Sequence, residues 1–118
     1  MTIVYMRTDP KRPLMRVLTR PLPCMNMDGT PGFVPEDFES DGSSVPELLR
    51  GVFPRHRHPV AFFRHDKRCR YTQNDAERLW ADQEFKKDVR STSWWITAQI
   101  GYIGVRIGAF FGVGSNYK

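Results

Sequence analysis

The 118-residue sequence is short of cysteine and histidine, holding two of the first and three of the second. Cys24 and Cys69 cannot form the multi-bridge framework of a small secreted domain. A disulfide scaffold is therefore excluded, and a reducing compartment is expected. Internal repeats and low-complexity tracts are missing, which excludes collagen-like and coiled-coil chains. A signal region is missing too: the apolar start from Met1 to Met6 turns polar at Arg7, Asp9 and Lys11, so no signal peptide is expected.

What is present suits a small basic domain. Lys and Arg outnumber Asp and Glu by 18 to 13, for a net charge of +5, while 40% of residues are hydrophobic and 13% aromatic. That apolar content argues against wholesale disorder. A chain of this length buries about two-thirds of its unfolded surface without staples. One domain over residues 1–118 is expected, and nine Pro with nine Gly predict much loop.

The two halves differ in texture. Residues 1–48 are punctuated by Asp9-Pro10, Arg12-Pro13, Arg20-Pro21-Leu22-Pro23 and Asp28-Gly29-Thr30-Pro31-Gly32. Between them, Leu14–Thr19 reads as a strand and Phe33-Val34 as the start of another, stopped by Pro35. Residues 45–112 read as helical. Ser44, Pro46 and Glu47 suit a first turn that Gly51 and Pro54 end quickly. The fold class expected is α+β: short N-terminal strands and long loops, then three to four helices packed on one core.

Three longer helices follow. The first, Pro59–Tyr71, places Ala61, Phe62, His65, Asp66 and Cys69 on one face and Arg64, Lys67, Arg68 and Arg70 opposite. The second runs from near Asn74 to Val89 with Ala76, Leu79, Trp80 and Gln83 as its inward stripe. The third, roughly Ser93–Phe111, is apolar nearly all round and carries Gly101, Gly104, Gly108 and Gly112. Gln99 and Arg106 interrupt it, and an arginine at mid-membrane costs at least about 2.5 kcal/mol. No membrane span is expected; close packing through the small residues is.

The candidate chemistry centres on His65 and Asp66. Neighbours on a helix point about 100° apart, so the pair can share a pocket in different roles. The imidazole would activate water and the carboxylate would hold a hard cation such as calcium. An acid from the next helix, Glu77 first, would orient the imidazole. Glu77 also stands at capping-box spacing from Asn74, a purely structural role. Asp41-Gly42-Ser43-Ser44 reads as a turn and helix cap beside which Asp41 can supply a metal oxygen. A basic band of seven Lys and Arg over 50–70 reads either as a solvated face or as an attractor of phosphates.

The order Val34-Pro35-x-x-Phe38-x-Ser40-Asp41-Gly42-x-Ser44-Val45-Pro46, then His65-Asp66 with Tyr71, then Ala76-Glu77-x-x-Trp80, resembles a family of small phage and prophage proteins catalogued as a domain of unknown function. The resemblance covers about residues 33–112. Asp37 stands where that pattern has glycine, Glu77 where it has Asp, Trp80 where it has Phe, and Tyr71 is displaced. It implies a phage source and a strand-then-helix fold, without an established activity. Over roughly 25 residues the chain is also similar to the His-Asp core of the type A-two phospholipases. That similarity implies His65 as general base, Asp66 as calcium ligand and Glu77 as orienting acid, with Asp41-Gly42 replacing a missing calcium loop.

The resulting expectation is a phage-encoded, metal-assisted hydrolase acting on a lipid or cell-envelope ester or amide, with His65 and Glu77 catalytic and Asp41 and Asp66 holding calcium or another divalent cation. The alternative is a non-enzymatic virion component, at the tail or connector, in which the same residues form a buried network. Other virion proteins or a second copy are the expected partners, an anionic substrate surface fits the basic band, and nucleic acid ranks lower. The expected location is the virion or the host cytoplasm.

Overall fold

The computed structural model describes residues 2–41, 57–113 and 117. The short first helix expected around Val45–Leu49 and the Gly42–Pro46 part of the motif lie outside them. The described architecture is α+β: two small antiparallel sheets precede three helices.

The first sheet has strand order β1-β2-β5, from Met6–Asp9 (β1), Arg12–Leu18 (β2) and Glu39–Ser40 (β5). β1 and β2 run in register from Met6↔Leu18 to Thr8↔Arg16, then shift so that Asp9 faces Arg12. The shift absorbs Pro13, which has no N–H for a ladder. β2 begins before the expected Leu14 for the same reason: the irregular stretch admits the proline. The second sheet pairs Leu22–Pro23 (β3) with Phe33–Val34 (β4), the latter as expected. The loop between them needs Gly32, because a Cβ there would meet Asn26 Oδ1 at 2.6 Å and the Cys24 carbonyl at 2.7 Å.

The helices are Pro59–Tyr71 (α1), Asp75–Thr92 (α2) and Trp95–Phe110 (α3). α1 has the limits its sequence predicts, with Pro59 in the first turn and arginines in the last. Among the described residues the core holds two buried clusters. Leu18, Leu22, Cys24, Val34 and Phe38 enclose Phe63 on the sheet side, while Ala61 and Phe62 join Phe85, Val89, Ala98 and Val105 between the helices. α1 thus separates the clusters and feeds both.

The inward face of α2 corrects the sequence reading. Ala76, Leu79 and Gln83 are exposed and Trp80 is half-buried, whereas Arg78, Ala81, Asp82, Glu84, Phe85 and Val89 are buried. Arg78 and Asp82 are four apart and neutralise one another, so a pair that reads as solvated can occupy the inner face. Arg68 is likewise inside rather than on the solvent side of α1: it reaches Asp88 Oδ2 at 3.3 Å and the Met25 carbonyl at 3.3 Å.

α3 turns its small residues, Ala98, Gly101, Gly104, Val105, Gly108 and Ala109, inward. Its end is a Schellman arrangement: Gly112 has φ 76°, its N–H bonds to the Ala109 carbonyl, and the Val113 N–H bonds to the Gly108 carbonyl at 2.8 Å. No helix among the described residues is long and apolar enough to cross a membrane.

Candidate functional site

All three helices meet at Asp82. His65 of α1 donates from Nε2 to Asp82 Oδ1 at 2.6 Å. Arg78, one turn earlier on α2, donates from Nε to the same oxygen at 2.9 Å. Arg106 of α3 donates from Nη1 to Oδ2 at 2.8 Å. Arg78 also reaches the Val113 carbonyl at 2.6 Å and the Val105 carbonyl at 3.2 Å, so the α3 cap is tied to the same centre. His65 and Asp82 are 0% exposed, and Phe85 closes over the imidazole with ring centroids 4.9 Å apart.

The electrostatics follow from this geometry. Burial disfavours charge on the imidazole, but Cys69 and the Asp82 hydrogen bond outweigh it and raise the His65 pKa to about 10. Burial would raise the Asp82 pKa, yet the bonds from His65 and Arg78 hold it below the ordinary carboxylate value. The centre is therefore an ionised carboxylate among cations, an arrangement that keeps a buried charge paired.

Cys69 lies one turn beyond His65, its Sγ 3.4 Å from Nε2 and 3.8 Å from Nδ1. His65, Cys69 and Asp82 bring a nitrogen, a sulfur and an oxygen within 4.8 Å of one another, a group that could hold a metal ion. The donor types suit a borderline-soft ion such as zinc; calcium takes 6–8 oxygens. As a thiol relay the arrangement is out of order, because thiol and carboxylate both approach Nε2 instead of engaging opposite ring nitrogens.

Of the sequence candidates, His65 is at the centre, and the carboxylate that holds it is Asp82. Glu77 is engaged elsewhere: its Oε1 accepts from the Gln73 N–H at 2.9 Å while its own N–H donates to Asn74 Oδ1 at 2.9 Å. Those bonds start α2, the capping role its spacing allowed. Asp66, half-buried, accepts from Ser40 Oγ at 2.5 Å and so fastens α1 to β5. Asp41 follows β5 directly and is half-buried. Sequence reasoning missed Arg78, Asp82 and Arg106, although a lone arginine within apolar α3 is itself a signal, since it requires a carboxylate nearby.

The basic band is partly consumed inside the fold. Arg64 donates to Asp88 Oδ1 at 2.9 Å and to the Pro23 carbonyl at 2.7 Å, and Asp88 also takes Arg68. Burial raises the Asp88 pKa despite both guanidiniums. Compared with known proteins, the chain matches no family model, no curated protein and no solved structure.

Proposed function

We propose that the protein is a non-enzymatic component of a phage particle, at the tail or connector, in which His65, Asp82, Arg78 and Arg106 form an architectural network. The observation that carries this reading is the complete burial of His65 and Asp82, with both Asp82 oxygens occupied by the imidazole and two guanidiniums. A general base has to meet water and substrate. The phage setting rests on the motif resemblance, and exposed Trp94 and Trp95 support assembly with other particle proteins or with itself.

The second reading, a metal-assisted hydrolase of an anionic lipid or envelope ester or amide, draws on the His65–Cys69–Asp82 group. Its soft donor set favours zinc over calcium, whose hard ligands would have to come from Asp41 and Asp66. Arg78 and Arg106 on Asp82 oppose an added cation at the buried group.

Assays of ester and phospholipid hydrolysis with calcium or zinc, beside elemental analysis of the purified protein, separate the two readings. The expected result is no turnover and no stoichiometric metal. His65→Ala should lower stability by about 2–4 kcal/mol. Turnover that disappears in His65→Ala while the unfolding midpoint stays in place overturns the architectural reading.

A further inference from the structure

A cavity of about 320 Å³ opens where the loop joining β3 to β4 meets α1 and α2, at the lower end of the size range of small-ligand sites. Met25 and Met27 line it from the loop, Lys67, Arg68 and Tyr71 from α1, and Trp80 from α2. None of these belongs to the His65–Asp82 network. The loop is held in place. The Asn26 amide, between the two methionines, donates to Thr30 Oγ1 at 3.1 Å and to the Pro31 carbonyl at 3.3 Å, and Asp28 Oδ1 accepts from the Thr30 N–H at 3.0 Å. The cavity is therefore pre-formed.

Its charge is positive. No carboxylate is among its lining residues. Asp88, which pairs with Arg68, is shared with Arg64, and its bond to Arg68 is the longer, 3.3 Å against 2.9 Å. The Arg68 side chain is 5% exposed, and its buried Nε–H has no hydrogen-bond partner among the described residues. Buried N–H donors are normally paired, so this guanidinium has capacity left for an anion. Lys67 forms no ion pair among the described residues and stands 5.7 Å from the centre of the Tyr71 ring.

Beside these cations are flat or polarisable surfaces. Tyr71 is 67% exposed, Trp80 is half-buried with the Arg68 guanidinium 5.1 Å from its ring centre, and both thioethers are exposed. A carboxylate side chain would satisfy the cations but offer nothing to the rings, and an acyl chain would offer nothing to the cations. A nucleotide carries both parts: a base that stacks on aromatic rings and a phosphate that pairs with Lys or Arg.

We propose that this cavity binds one unpaired nucleotide, its base against Tyr71 and Trp80 and its phosphate on Lys67 and Arg68. The chemistry is the same for a free nucleoside monophosphate and for an unpaired position of a single strand. A base inside a duplex has both faces covered by its neighbours and does not fit. The site shares no residue with the architectural network, so it stands whichever reading of that network holds.

Calorimetry of the full chain with adenosine monophosphate, and fluorescence anisotropy with a short labelled oligothymidylate, test it. Saturable binding is expected. Affinity for the monophosphate identifies a free nucleotide as the source, and affinity for the strand alone identifies an unpaired position in a chain. Tyr71→Ala should weaken binding between about fivefold and a hundredfold. Lys67→Ala should weaken it too and lower the salt dependence by about one released ion. Lys11→Ala, in the turn between β1 and β2, removes the same charge and should leave binding in place. Should either cavity variant misfold, methyl resonances of the wild type decide: those of Met25 and Met27 should move when the bound probe is added. Binding of neither probe, equal losses in Lys11→Ala and Lys67→Ala, unmoved methionine signals, or tighter binding of a duplex or of free phosphotyrosine overturns the site.

Discussion

His65 Nε2 and Asp82 Oδ1 stand 2.6 Å apart with neither side chain exposed, and this contact joins α1 to α2 at the point where Arg106 brings in α3. One carboxylate therefore sets the mutual positions of all three helices. Its removal leaves cations buried in a site from which water is shut out.

Asp82→Asn tests that dependence. The amide keeps the shape but cannot offset Arg78 or a charged imidazole, and breaking a buried pair by neutralising one partner costs about 3–5 kcal/mol. Urea unfolding should show a lower midpoint with an unchanged slope. A loss below about 1 kcal/mol would mean that hydration reaches the centre and the network is peripheral.

Stability should also fall as the solution becomes alkaline. The folded His65 pKa, about 10, is raised above the ordinary 6.5, so its contribution is complete below pH 6.5 and disappears as pH rises toward 10. Asp82, held low, acts in the opposite sense, contributing above its ordinary 3.8 and losing that contribution in acid. Between them lies the stability maximum. Above pH 6.5 the unfolding free energy should decline with a slope approaching about 1.4 kcal/mol per pH unit for one proton. His65→Gln should flatten that slope.

Much of the backbone was legible because its signals are local. Pro59 near the start and arginines near the end delimit α1, and Asn74 with Glu77 marks where α2 begins. The faces were harder. Hydrophobic periodicity assigned Leu79 inward, but the small and aromatic residues Ala81, Phe85 and Val89 set the phase of α2, and that phase carries Arg78 and Asp82 inside with them. A buried ion pair is invisible to a hydrophobicity pattern, since each member scores as surface. The His65–Asp82 pairing also joins residues on different helices, and only the packing of α1 on α2 creates it. His65 itself was legible, beside Asp66, as a polar residue on a largely apolar face. Its partner was not.

Asp37 provides the last test. Its φ of 67° lies in the left-handed region, which costs an ordinary side chain about 1–2 kcal/mol and Asp somewhat less. The bend is imposed by its surroundings: the Asp37 N–H bonds to the Leu18 carbonyl at 2.8 Å, and the Leu18 N–H bonds to the Phe38 carbonyl at 3.0 Å. Phe38 is thereby turned into the sheet-side cluster. Asp37→Gly should raise stability by up to about 1 kcal/mol, strain relief exceeding the entropy that glycine adds to the unfolded chain. Asp37→Val, branched at Cβ, should lower it by more than about 1 kcal/mol. Both changes are read as shifts in the urea midpoint, and a Val variant as stable as the Gly one would show that the strand connection does not hold this backbone angle.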